Sequence, residues 1–286
     1  MTTTTAQQTG SCDPYARIAD LDDATVATLA ERFEIRASDA RQHELWRGFL
    51  SRAPHLAGAR VLEVGCGTGI ITAMIAELPG VAECIGVDPS AGFIERARHR
   101  APSLRFEVAD GRALPFGDHA FDGLVFATTL CHVPAPELAL AEARRVLRPG
   151  GYLLVYDGDY ATATVAMSGH DPLQSCLAAA IGALVHDPWL VRRLTGLVRD
   201  AGFRLADLSV RSPDRIACPR RTVHRRALPG RRPGHGRGAR DLACSDRGHS
   251  HHERGAVHVR LDAHGEGPGP DRHANHQERR RVRLDG

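Results

Sequence analysis

The feature that most constrains this chain is a glycine-rich turn, Glu63-Val64-Gly65-Cys66-Gly67-Thr68-Gly69, set between a β-rich run and a helical one. Arg60–Val64 reads as a short strand, and Ile70–Leu78 as a helix stopped by Pro79-Gly80. Glycines in such a turn tolerate positive φ and let a ligand come close to the backbone. The start of the following helix offers free N–H groups and a partial positive charge, which suit an anionic group. Asp88 ends the next strand, 19 residues after Gly69, where an acid holds ribose hydroxyls in nucleotide sites. Strand, turn, helix and acid together point to a nucleotide-like ligand on an α/β sheet.

The rest of the first 211 residues continues the alternation. Strands are expected at Cys84–Val87, Arg105–Val108, Phe121–Ala127, Tyr152–Asp157 and Phe203–Val210. Helices are expected at Ala91–Arg100, Pro136–Leu147, Leu177–Val185 and Leu190–Ala201. Strands separated by helices imply a mainly parallel sheet covered on both faces. Before it, two apolar sets at helical spacing (Ile18, Leu21, Val26, Leu29, Phe33; then Leu45, Trp46, Phe49, Leu50) predict two amphipathic helices behind a flexible arm at residues 1–14. Three regions are therefore expected: 1–59 as arm and helices, 60–211 as the ligand-binding domain with a helical cap over 161–200, and 212–286 as a tail.

The tail differs in chemistry. Residues 212–286 hold 17 Arg against 9 acids, and residues 1–211 hold 20 Arg against 25 acids. There is no Lys, and the last aromatic residue is Phe203. A segment so rich in Arg, Gly, Pro and His is expected to lack the apolar surface needed to offset its ordering entropy. One reading makes it a basic arm for nucleic acid or a membrane surface. Another is a shifted reading frame near residue 212 in GC-rich coding. One shifted frame through Gly255–Leu261 permits an apolar, aromatic strand instead.

At this point the ordered motifs resemble the class I S-adenosylmethionine (SAM)-dependent methyltransferases. Their first motif, (D/E)xGxGxG, matches Glu63 through Gly69, and Ile70 stands where the dinucleotide fingerprint GxGxxG has its third glycine. That disfavours an NAD-dependent oxidoreductase. The likeness continues through Gly86-Val87-Asp88-Pro89-Ser90, Ala109-Asp110-Gly111-Arg112-Ala113-Leu114-Pro115-Phe116, Phe121-Asp122 and Leu147-Arg148-Pro149-Gly150-Gly151, covering about residues 60–157. The resemblance implies a Rossmann-like fold with SAM as cofactor. It implies cofactor contacts from Glu63, Gly65, Cys66, Gly67, Gly69, Asp88, Pro89, Asp110, Gly111 and Thr128, with Asp110 toward the adenine amino group. The family also closes its sheet with an antiparallel strand pair; strand six is visible, and strand seven is expected to be missing.

The segment Thr128–Val133 follows the fourth expected strand, at the sheet edge where ligands bind. His132 is read either as a general base for a hydroxyl or as a structural histidine of the SAM pocket. Asp159, after the fifth strand, is read as orienting His132 or holding the acceptor, and Asp157 as a strand end. By the resemblance, Tyr15 covers the donor. His186 and Trp189 are assigned to core packing, with an acceptor pocket as the alternative, and Cys131 to packing.

The expected function is methyl transfer to a small-molecule acceptor, a hydroxyl of a secondary metabolite, quinone or related compound. A catalytically inactive SAM-binding protein is the alternative. The net acidic first 211 residues disfavour nucleic acid as substrate. No apolar run reaches the roughly 20 residues of a membrane span. The scattered cysteines and the polar N-terminus suggest a reducing cytoplasm, and no spacing resembles a metal site.

Overall fold

The computed structural model describes residues 13–55, 57–166, 168, 170–211 and 255–263. Two helices, α1 (Asp23–Ala37) and α2 (Ala40–Leu50), precede the sheet. The Asp22 carboxylate caps α1 by accepting from the Thr25 N–H at 2.9 Å, satisfying one of the free donors of a helix start. Its buried residues Val26, Leu29 and Ala30 follow the spacing seen in the sequence.

The sheet has seven strands in the order β3-β2-β1-β4-β5-β7-β6. They are β1 (Ala59–Val64), β2 (Val81–Asp88), β3 (Arg105–Val108), β4 (Phe121–Ala127), β5 (Leu147–Asp159), β6 (Phe203–Arg211) and β7 (Gly255–Ala263). β1 to β5 are parallel, and β7 runs antiparallel to both of its neighbours. The connecting helices are α3 (Ile70–Ala76), α4 (Ala91–Arg100), α5 (Pro136–Val146), α6 (Pro172–Leu184) and α7 (Leu190–Asp200). The expected α/β architecture is thus found.

Successive residues of the central strands are buried on opposite faces, as a two-sided parallel sheet requires. Leu153 and Val155 join Leu62, Leu140 and Leu194 in one core, on the side of α5 and α7. Leu154 and Tyr156 join Val61, Trp46, Phe49 and Ile75 in another, on the side of α2 and α3. The N-terminal helices are therefore part of the same fold. α6 starts five residues before the expected Leu177, at Pro172, because Pro is favoured in a first helical turn and Asp171 caps it.

One expectation is overturned. The final antiparallel strand is present, and it comes from the tail. β7 lies in register with β5 from Asp159↔Gly255 to Tyr152↔Asp262, and with β6 from Phe203↔Ala263 to Arg211↔Ala256. The residues as written alternate apolar and polar: Val257, His258, Val259, Arg260, Leu261, Asp262. This period of two is hidden by the Arg, Gly and His around it. β5 then supplies the open row of backbone groups that a lone strand needs. β6 is left as the outer edge, with Leu205 and Leu208 exposed. The rest of the tail and residues 1–12 lie outside the described residues.

Candidate active site

The carboxyl ends of β1, β2 and β4 surround a cavity of about 300 Å³. Gly65 and Gly67 come from the turn after β1, Asp88 and Pro89 from the end of β2, Asp110 and Gly111 from the loop after β3, and Thr128 and His132 from the segment after β4. Eight of the twelve residues singled out from the sequence therefore share one cavity. The short helix Tyr15–Asp20 lines the same cavity.

The glycine turn has the backbone inferred for it. Gly65, Gly67 and Gly69 have φ of 76°, 52° and 80°, a region costly for residues with a Cβ. Space is the second constraint at Gly65. A Cβ there would lie 2.3 Å from Thr129 Cγ2, because the Thr129 side chain folds beneath the turn and its hydroxyl donates to the Val64 carbonyl at 3.2 Å. Thr128 sets up that packing with a φ of 57°, an outlier for a β-branched residue and a sign of a constrained site.

Asp88 is buried at the cavity floor, where its oxygens accept from the Gly67 and Ser90 N–H groups, each at 2.9 Å. Burial pushes its carboxyl up to about 6 even though those two bonds pull the other way. The carboxylate is thus tied to the glycine turn from below. Asp110 sits at the rim and is chelated by Arg112, with Nη2 at 2.7 Å and Nε at 3.0 Å. That guanidinium holds the Asp110 carboxyl below its usual range.

Three sequence-selected residues fall elsewhere in or near the turn. Glu63 and Cys66 border a small cleft of about 60 Å³ behind it. Burial pushes Glu63 up to about 8, with the Thr72 hydroxyl bond opposing and nearby Asp88 adding to the rise. Gly69 lines no cavity described here; a Cβ on it would meet Ala97 and Phe106 at 2.9 Å, so it lets α3 approach its neighbours. Asp159 is the correction. It does not touch His132 or the cavity, but pairs with Arg192 at 3.4 Å, because β5 ends with that side chain directed toward α7.

The partner of His132 is Asp13, a residue of the arm expected to be flexible at residues 1–14. Its Oδ2 lies 2.7 Å from His132 Nδ1 and also accepts from the His186 N–H at 2.8 Å, while Oδ1 accepts from the Tyr15 N–H at 2.8 Å. Asp13 is buried. The two main-chain donors use it as an acceptor, so the histidine Nδ1 is read as a third donor and Nε2 is left for another group. The Tyr15 ring packs on the His132 ring at 4.8 Å. No local pattern marks Asp13, because its three donors come from residues 15, 132 and 186. His186 contributes through its backbone, and Trp189 is exposed with Arg192 over its ring. Asp157 accepts from the Cys131 N–H at 3.1 Å and holds the turn. Cys131 is buried, and its thiol is pushed well up by that burial, which fits packing rather than nucleophilic attack.

A second cavity of about 150 Å³ adjoins the first. Tyr15, Phe33, Thr128 and His132 line both cavities, and the second is completed by Arg32, Arg36, Tyr160, Leu184 and Val185. His132 therefore borders both spaces.

The residues of the larger cavity fit SAM. It offers a buried acid for hydroxyls, the glycine turn for close backbone approach, and Tyr15, Phe33 and Phe93 as apolar cover. Residues 62–155 match the family model described as methyltransferase domain. An O-methyltransferase of Penicillium expansum is 35% identical over 170 residues, covering 56% of this chain and 58% of that protein. A ubiquinone/menaquinone biosynthesis C-methyltransferase of Hahella chejuensis is 32% identical over 151 residues, covering 50% and 61%. The chain thus matches only about three-fifths of the length of these relatives. In fold, a SAM-dependent methyltransferase of Methanosarcina mazei aligns with a TM-score of 0.51 at 17% identity, covering 74% of this chain and 96% of its own. Sheet order, glycine turn and sequence likeness agree: residues 62–155 match a methyltransferase domain, set in a sheet that SAM-dependent methyltransferases share.

Proposed function

We propose that this protein methylates a hydroxyl of a small molecule, such as a secondary metabolite or a quinone-like ring, with His132 as the general base. One observation carries the reading: His132 lines both the cofactor cavity and the second cavity, and its Nδ1 is fixed by buried Asp13 at 2.7 Å. SAM, when bound, supplies a methyl group on a sulfonium, already a good leaving group.

The chain's task is to bind, align and deprotonate. Gly65, Gly67, Asp88, Pro89, Asp110, Gly111 and Thr128 hold the cofactor, with Asp88 toward its hydroxyls; Glu63 and Cys66 support the turn from behind. An acceptor in the second cavity presents its hydroxyl to Nε2 of His132, which takes the proton as the oxygen becomes a nucleophile. Asp13 keeps the ring oriented for this and stabilises the charge that forms on it. Alignment of acceptor and donor is worth more than the base alone, since well-oriented reactions reach effective molarities of about 10⁵ M or more. The O-methyltransferase relative supports a hydroxyl acceptor, and the cleft between Tyr160 and Val185 supports a small one.

Calorimetry with S-adenosylhomocysteine, followed by turnover on a panel of phenols and hydroquinones, tests the reading. One site per chain and turnover lost in His132→Ala are expected. Saturable binding with no turnover on any hydroxyl acceptor would leave a SAM-binding protein without transfer.

A further inference from the structure

Arg32 and Arg36 stand one helical turn apart on α1, and both line the second cavity beside His132. Two cations at this spacing repel each other. Several other arginines near the surface are paired with acids. Arg100 pairs with Glu34, Arg112 with Asp110, Arg192 with Asp159 and Arg193 with Asp187. Among the described residues, neither Arg32 nor Arg36 has an acidic partner, and Glu34 between them is committed to Arg100. Besides Thr128 and His132, the rest of the cavity wall is aromatic and aliphatic, from Tyr15, Phe33, Tyr160, Leu184 and Val185. A slot with aromatic walls and two guanidinium groups without acids at its edge, Arg32 exposed and Arg36 half-buried, suits a planar, anionic guest. Arginine offers a fork of donors matched to a carboxylate, and such pairs strengthen where water is excluded.

We propose that the acceptor carries a carboxylate besides the hydroxyl that is methylated, and that Arg32 and Arg36 bind it. The inference rests on the methyl-transfer reading above and narrows its substrate class to aromatic hydroxy acids and compounds that contain one. At about 150 Å³ the cavity is below the roughly 300–1,000 Å³ of drug-sized sites, which suits a single ring or one end of a larger molecule. The ring packs against Tyr15 and Phe33, its hydroxyl faces His132 Nε2, and its carboxylate lies toward α1. Arg36 also borders the cleft behind the glycine turn, so the donor's own carboxylate is the competing source of the same chemistry.

The test compares binding of 4-hydroxybenzoate and 4-hydroxycinnamate with binding of their methyl esters, using the full chain with and without S-adenosylhomocysteine. At least one acid is expected to bind about tenfold or more tightly than its ester, a difference of about 1.4 kcal/mol. In Arg32→Gln and in the Arg32→Gln/Arg36→Gln double variant that preference is expected to vanish, and Arg32→Lys should retain part of it. Equal affinity for acid and ester, or no saturable binding of either acid, overturns the proposal. So does a double variant that keeps the preference but loses S-adenosylhomocysteine, which would assign the pair to the donor. Acids that bind to a protein unable to bind S-adenosylhomocysteine would instead defeat the cofactor reading and leave the anion site standing.

Discussion

Nδ1 of His132 and Oδ2 of Asp13 lie 2.7 Å apart, although 119 positions separate them in the chain. The carboxylate comes from the segment that leads into the cover of the cofactor cavity, and the imidazole from the loop after β4. Asp13 therefore serves two purposes: it orients the ring, and through the Tyr15 N–H it anchors the cover.

The first prediction concerns this pair. His132→Ala should lower kcat by about 10²–10⁴-fold, the usual worth of a positioned base, and leave S-adenosylhomocysteine affinity nearly unchanged. Asp13→Asn should lower kcat also, because an amide no longer enforces the proton on Nδ1. Steady-state kinetics with calorimetry on both variants decides it. Full turnover in His132→Ala would remove the base from the mechanism.

Asp88 gives a pH dependence of binding. Its carboxyl titrates at about 6 because it is buried, and the ionised form is the better acceptor of ligand hydroxyls. Affinity for S-adenosylhomocysteine should be steady near pH 8 and fall as pH drops through 6. Asp88→Ala should bind weakly at both pH values. Calorimetry at pH 5.5 and 8 on parent and variant checks the sign, which a ligand held only by the glycine turn would not show.

Glu63 links folding to pH. Burial raises its carboxyl from 4.5 to about 8. The folded chain therefore binds the proton more tightly than the unfolded chain, and stability falls as pH rises from 4.5 through 8. Glu63→Gln keeps an acceptor for the Thr72 hydroxyl but removes the titration. Its Tm should exceed the parent's at pH 8, with the gap closing toward pH 5. Thermal melts of the ligand-free protein at several pH values measure this; parallel curves for the two proteins would contradict it.

Gly65→Ala tests the turn. The new methyl would sit 2.3 Å from Thr129 Cγ2 at a φ of 76°. Crowding of this kind costs about 1–3 kcal/mol and the backbone strain adds to it. The variant should melt lower and lose S-adenosylhomocysteine binding. Adding Thr129→Ser removes the nearest methyl but not the strain, so it should restore part of the stability. A Gly65→Ala protein that melts and binds like the parent would mean the turn is far looser than its packing indicates.

β7 is tested by Val259→Pro. Val259 is in register with Val155 on one side and Leu208 on the other. Proline there has no N–H to donate and does not fit an inner strand. A Tm lower by about 5–10 °C is expected, with aggregation from the freed edge of β5. An unchanged melt would show that residues 255–263 do not complete the sheet.

The parts of this protein legible from sequence are those that local chemistry dictates. A glycine at positive φ, an acid at a strand end and a two-sided apolar strand each leave a mark within a few residues. That is why the glycine turn, Asp88 and the alternation of five strands with helices are legible in the sequence, while Asp110 is marked by the family resemblance and the order of the strands by the fold. What tertiary structure decided is what needs a distant partner. Val257–Leu261 alternates too briefly to declare a strand by itself; the open edge of β5 makes it one. Asp159 looked well placed because it follows β5, but the direction of the strand end sends it to Arg192. Asp13 looked like part of a polar arm, yet three donors from three segments converge on it. A buried carboxylate is stable only where such donors meet. Nothing in the linear order of residues states that they do.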